Sequence, residues 1–156
     1  MPDHVAKQVL DAVVTACTGL TTTGSNVFRS RVHTMTESQL PALLIYAQED
    51  VMEDDMVAMQ TDGNKGLHYV ISISIDAIEK DASETTAENN LFEIRKEVQT
   101  AMEADLTLGG KAEDLWLTEA NIEDRTGSGD SPILSCNMLW QVRYRIKQGS
   151  PQTVIL

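Results

Sequence analysis

The sequence predicts an α+β fold, two amphipathic helices packed on one face of a mainly antiparallel sheet of about four to five strands. Two observations predict it. Tyr69-Ile71-Ile73-Ile75-Ala77 and Leu134-Cys136-Met138-Trp140-Val142-Tyr144-Ile146 recur at period two, the mark of strands with one face buried. Two further stretches carry apolar residues at helical period, Val5 to Leu20 and Leu91 to Met102. The strands alternate instead of running continuously apolar, so a parallel sheet covered on both faces is not expected. Helices that each expose one stripe are then most simply laid together on the apolar face of the sheet.

The first helix is expected after Asp3, a capping residue, with Val5, Val9, Ala12, Val13, Ala16, Cys17 and Leu20 as its stripe. Gly19 and the run Thr21-Thr22-Thr23-Gly24 end it. Val27 to His33 reads as a strand of weak pattern and Leu40 to Gln48 as another, with Pro41 at its start, where the missing N–H does no harm. Residues 49–66 form a long polar loop with Asp62-Gly63-Asn64 as its turn signal; loops of this length are usually functional or disordered. His68 to Ile78 is the clearest strand. Thr85-Thr86-Ala87-Glu88 is a capping box for the second helix, whose stripe is Leu91, Ile94, Val98, Ala101 and Met102, and Gly109-Gly110 follow it. Asp114 to Glu123 and Ile133 to Lys147 read as the last strands, joined by a turn at Thr126 to Asp130. The expected organisation is a single domain over 1–148 and a C-terminal tail over 149–156.

A chain of 156 residues suits one domain, which at this size buries roughly 68–70% of its unfolded surface. With 24 acidic and 12 basic residues the formal charge is −12, the wrong sign for gripping nucleic acid through its phosphates. Cys17 and Cys136 lie on apolar faces without ligand spacing and read as buried, reduced thiols. The opening Met1-Pro2-Asp3-His4 lacks a basic, then apolar leader pattern, and the longest apolar run, Ala42 to Ala47, is too short to span a bilayer, so neither classical secretion nor membrane embedding is expected.

Catalytic and ligand motifs can be set aside one by one. Gly19 to Ser25 has the glycine spacing of a phosphate loop, but it lacks the lysine and follows a helix instead of a strand. Gly127-Ser128-Gly129 precedes Pro132 and a strand, so no helix N-terminus is there to hold an anion. The acidic run Glu49 to Asp55 places Met52 where a calcium loop needs an oxygen ligand. His4, His33 and His68 are dispersed and match no metal motif. No metal, cofactor or catalytic residue is therefore expected. Arg143, Arg145 and Lys147 share one strand face and read either as a solvated face matched by cross-strand carboxylates or as a docking strip for an acidic partner.

The whole order resembles the tail terminator, or tail-completion, proteins of long-tailed bacteriophages. The likeness rests on the N-terminal amphipathic helix, the strand holding Val27 and Arg31, and the Leu40-Pro41-Ala42-Leu43 run into a second strand. It continues through the long loop, the Val70-to-Ala77 strand, the Leu91-to-Leu108 helix ending in Leu108-Gly109-Gly110, and the closing Trp140-to-Ile146 strand. The resemblance implies a structural virion protein, made in the host cytoplasm, without enzymatic activity or cofactor. Six copies form a ring at the head-proximal end of the tail tube, end tube polymerisation and present a head-joining surface. Its partners are then other copies of itself, the tail tube protein and a head-completion or connector protein, while genome DNA passes through unbound.

On that reading Glu49, Asp50, Glu53, Asp54 and Asp55 are candidates to line the pore, where carboxylates keep DNA from adhering; a solvent-facing loop is the other reading. Arg143, Arg145, Lys147 and the apolar tip Val154, Ile155 and Leu156 are the interface candidates. Two alternatives stand beside it: another tail-tube or head–tail joining protein, which as a tube protein polymerises into cylinders unaided, or a small cytosolic ligand-binding α+β domain.

Overall fold

Helix α1 (Val5–Cys17) forms where the apolar stripe begins, and Val5, Val9, Leu10, Val13 and Cys17 are its buried residues. Its cap differs from the expectation. His4 precedes the first turn in extended backbone, and its Nδ1 accepts from the Ala6 amide at 3.0 Å. Asp3 instead accepts from Lys7 Nζ at 2.6 Å. The imidazole nitrogen does what a carboxylate oxygen would have done, satisfying one of the amides a helix start leaves unpaired. The structure, a computed structural model, describes residues 2–29, 39–53, 58–59, 65–126 and 131–155.

Among the described residues seven strands form one sheet: β1 (Val27–Phe28), β2 (Ala42–Met52), β3 (Ala58–Met59), β4 (Lys65–Lys80), β5 (Asp114–Asp124), β6 (Ile133–Lys147) and β7 (Ser150–Val154). The order is β1-β2-β4-β6-β5, with β3 beside β4 and β7 beside β6. All pairings are antiparallel except β1 with β2. The five expected strands are there, and β3 and β7 add to them. The first is shorter than expected, two residues, and its continuation 30–33 lies outside the described residues.

The segment expected as a loop over 49–66 is partly sheet. Glu49 to Met52 prolong β2, and Lys65 and Gly66 begin β4. Val51 pairs with Val70 and Met52 with Tyr69, then Ala58 with Gly66 and Met59 with Lys65, so β2 and β3 pair in turn with β4. The backbone ladder holds these residues in strands without an apolar alternation in the sequence, which a pattern of side chains does not register. At the β6–β7 hairpin, Lys147 pairs with Ser150 across Gln148-Gly149, and Gly149 at φ +84 takes a conformation that favours glycine in so tight a turn.

Helix α2 (Glu84–Glu103) starts at Ser83, two residues before the expected capping box. The Ser83 hydroxyl accepts from the Thr86 amide at 3.3 Å. β4 runs to Lys80, so the chain has only three residues in which to leave the sheet and begin the helix, and the earlier capping residue serves. Ala87, Leu91, Ile94, Val98 and Met102 are buried beneath it. Both helices cover the same sheet face, α2 over β4, β5 and β6 and α1 alongside α2 over β2, β6 and β7.

That face is the core. Leu43 and Ile45 stand opposite Ala77 and Ile75, Ile73 opposite Trp140, and Ile71 opposite Val142. Trp140, Tyr144, Ile73, Ile75 and Met138 are wholly buried. Side chains of this size contribute about 1.5–3 kcal/mol each by leaving water. The period-two pattern of β6 thus locates the hydrophobic layer residue by residue.

Candidate interaction surface

The other face of the sheet has no helix over it among the described residues, and its central residues are polar. Ser72, Ser74 and Asp76 of β4 point there and are nonetheless buried, Asp76 to 3% exposure. Longer neighbours enclose them: Tyr46 Oη donates to Asp76 Oδ2 at 3.2 Å, Asn137 Nδ2 donates to Asp76 Oδ1, and Ser72 Oγ donates to Gln141 Oε1 at 3.0 Å. Arg125 Nη2 lies 3.9 Å from Asp76 Oδ2. A buried carboxylate without such partners is strongly destabilising; with three it is tolerated.

The basic strip lies on this face and is matched by carboxylates of the same chain. Arg143 donates to Glu53 Oε1 from Nε and Nη2, both at 3.3 Å, and its guanidinium sits 5.4 Å from the Trp116 ring centre. Arg145 is 3.3 Å from Glu113 Oε1 and donates to the Ile155 carbonyl at 3.2 Å. Buried His68 brings Nδ1 within 3.7 Å of Glu113 Oε2. Lys147 ends β6. The pairing with carboxylates is the arrangement a solvated face would have.

The acidic candidates separate. Glu49 is exposed at the end of β2. Asp50 follows a bulge between Ala47 and Asp50 that turns it toward the helix-covered face, where Tyr144 donates its hydroxyl to Asp50 Oδ2. Although Asp50 is exposed along β2, partial desolvation is the largest influence on it and pushes its carboxyl above the ordinary range, against the Tyr144 hydrogen bond and the nearby His4. Burial, reinforced by Asp50, pushes the Tyr144 phenol far up. Tyr144 stacks on Tyr69, ring centres 5.6 Å apart. Glu53 faces the other way, toward Arg143. Asp54 and Asp55 lie outside the described residues.

Of the apolar tip, Val154 pairs with Ile146 in β7, and Ile155 donates its amide to the Arg145 carbonyl at 3.0 Å. Gln8 of α1 donates to the Gln152 carbonyl at 3.1 Å, tying β7 to the helix layer. Val154 and Ile155 are half-buried, and Leu156 lies outside the described residues.

The glycine-spaced turn after α1 already holds a carboxylate: the Thr22 amide donates to Glu97 Oε1 at 3.0 Å, where a phosphate loop would present its amides to an anion. Cys17 and Cys136 are buried and unpaired, and burial pushes the Cys17 thiol up to about 12. No group of three or more His, Cys, Asp or Glu among the described residues is placed to hold a metal ion. No described helix is long and apolar enough to cross a membrane.

Sequence reasoning missed the outer edge of β5. It is the last described strand on its side of the sheet, and Ile122 on it is 40% exposed. A signal was present. Leu115 and Leu117 fall on one parity and Ala120 and Ile122 on the other, and a phase change within a strand marks a bulge, found here between Leu117 and Glu119.

Among the described residues the chain is thus a seven-stranded mixed sheet with one helix layer, one open polar face and one long uncovered edge. No protein-family profile matches it, and no curated protein matches it. Among solved structures it is similar to a chain of a particle described as "Virion of native gene transfer agent (GTA) particle", with 16% identity, coverage of 92% of each chain and a TM-score of 0.39.

Proposed function

We propose that this chain is a structural virion subunit of the tail-terminator kind, which forms a ring of six on the head-proximal end of a tail tube. The observation that carries the reading is the correspondence between the segments behind the resemblance and the elements of the fold. The N-terminal stripe is α1; Leu40-Pro41-Ala42-Leu43 leads into β2; Val70 to Ala77 lies within β4; α2 is followed by Leu108-Gly109-Gly110; Trp140 to Ile146 lies within β6.

The surface supports a role in contacts. Val51, 52% exposed, and Met52 stand at the outer end of β2 beside β3, apolar side chains that a neighbour or a tube end would cover. The same role leaves the −12 charge as a field around a channel, unfavourable to phosphate and so permissive to passing DNA. Ring formation on a finished tube end would stop further tube subunits and offer the outer ring face to a connector protein.

Negative-stain images of the purified protein, alone and mixed with tail tubes, test this. Single rings seated at one end of tubes are expected, with tubes that no longer lengthen when more tube protein is added. Long cylinders formed by the protein alone would make it a tube protein instead, and a persistent single particle that ignores tubes would overturn the reading.

A further inference from the structure

We propose that His68 is a proton-operated latch: protonated on Nδ1, it joins Arg145 on the carboxylate of Glu113 and ties the outer end of β4 to the chain entering β5. The inference goes beyond the ring reading and does not depend on it. His68 is only 6% exposed, and among the described residues its Nδ1 has no hydrogen-bond partner. A ring nitrogen buried without a partner has lost its water and gained nothing in exchange. Across from it lies a carboxylate that is half engaged: Arg145 Nε is 3.3 Å from Glu113 Oε1, and His68 Nδ1 is 3.7 Å from Oε2. At that length an uncharged imidazole makes no hydrogen bond. A proton on Nδ1 turns the same contact into a cation facing a carboxylate oxygen, and a closure of about 1 Å brings it to charge-assisted hydrogen-bond length.

The groups around the ring set the sign. On β6 Arg145 stands directly opposite His68, with Arg143 and Lys147 two residues away on either side. At the end of β2, the Glu53 amide donates to the His68 carbonyl at 2.9 Å, and the Glu53 carboxylate is held by Arg143. Glu113 and Asp114 enter β5, with Asp114 opposite Arg143. Lys65 is the nearest charged residue along β4 itself, β3 and β7 carry no charged side chain, and Asp50, Tyr69 and Tyr144 belong to the opposite face. The Arg145 guanidinium opposes a second positive charge, so the proton is held where Glu113 serves both cations, one on each oxygen. Histidine ordinarily changes charge between about pH 5 and 8; the latch is closed on the acid side and opens as pH rises. What it holds is the outer end of the sheet. The Glu113 amide donates to the Arg143 carbonyl at 2.8 Å and Arg145 to the Ile155 carbonyl at 3.2 Å, so one carboxylate links β4, the entry to β5, β6 and the residue after β7. Exposed Val51 and Met52 of β2 lie at the same end.

A double-mutant cycle of His68→Gln and Glu113→Gln, read by urea unfolding at about pH 5.5 and about pH 8, isolates the contact, because other titrating groups enter all four corners alike. The coupling should reach at least about fivefold in the unfolding equilibrium constant at the acid pH and fall below about twofold at the alkaline one. Hydrogen exchange of the Glu53 amide, bonded to the His68 carbonyl, gives a second readout in wild type and Glu113→Gln alone, so the test stands where His68→Gln does not fold. Corrected for the intrinsic rate, its protection should rise in wild type from the alkaline to the acid pH and should not in Glu113→Gln. A coupling that is equal at the two pH values or larger at the alkaline one, or a Glu53 amide whose protection responds to pH alike in both proteins, would overturn the latch.

Discussion

Asp50 illustrates how one backbone irregularity sets the direction of a charged side chain. Sequence places it in an acidic run, but the bulge after Ala47 turns it onto the helix-covered face and against Tyr144. The bulge leaves no mark in a run without alternation, so no reading of pattern finds it. Because burial raises its folded-state pKa above the unfolded value, Asp50 contributes stability that is fully present below about pH 3.9 and is lost as pH rises through the folded value. Asp50 is exposed along the strand, and its carboxylate at neutral pH is charged and only partly desolvated beside Tyr144. Asp50→Asn keeps an oxygen for the Tyr144 hydroxyl and removes the charge, so its melting temperature at neutral pH should exceed that of wild type, with the gain vanishing in acid. Calorimetry at the two pH values checks this, and a variant less stable at neutral pH would show that the Tyr144 hydrogen bond outweighs burial.

Elements were legible wherever side chains alternate against a buried layer. β6 was found with its bounds, and β5 within one residue, because the apolar period of two is the imprint of the face they bury. β3 and the outer half of β2 were not, since their pairing with β4 is a backbone ladder that no apolar alternation in the sequence marks. The two tryptophans make the distinction measurable. Trp140 is wholly buried at the centre of β6, whereas Trp116 lies half-exposed under Arg143. Trp140→Ala should lose about 3–5 kcal/mol in urea unfolding, and Trp116→Ala far less, of the order of the ~0.5–1 kcal/mol of an exposed cation–aromatic contact plus its partial burial. Helix starts carry a similar lesson. Ser83→Ala should cost about 0.5–2 kcal/mol, and Thr85→Ala, inside the first turn, much less; the reverse order would place the cap where the sequence alone put it.

For the whole molecule, the acidic excess constrains function more than any single residue does. The basic side chains that might have gathered into a phosphate-binding strip are instead met by carboxylates: Arg143 by Glu53, Arg145 by Glu113, Arg29 by Asp11. Local neutralisation leaves the acidic surplus unopposed in the long-range field. Attraction to DNA is greatest at low ionic strength, where the Debye length reaches roughly 30 Å at 0.01 M, so low salt is the most demanding condition for a chain expected to let DNA pass. Under that condition double-stranded DNA should migrate unretarded in the presence of excess protein, in isolation or capped on tubes. Glu53→Gln would free Arg143 from its partner, yet one released guanidinium against a net charge near −12 should still give no shift. A retarded band that fades steeply with added salt would mean that several basic groups reach phosphate together, and the surface could not then act as the non-adhesive lining of a channel.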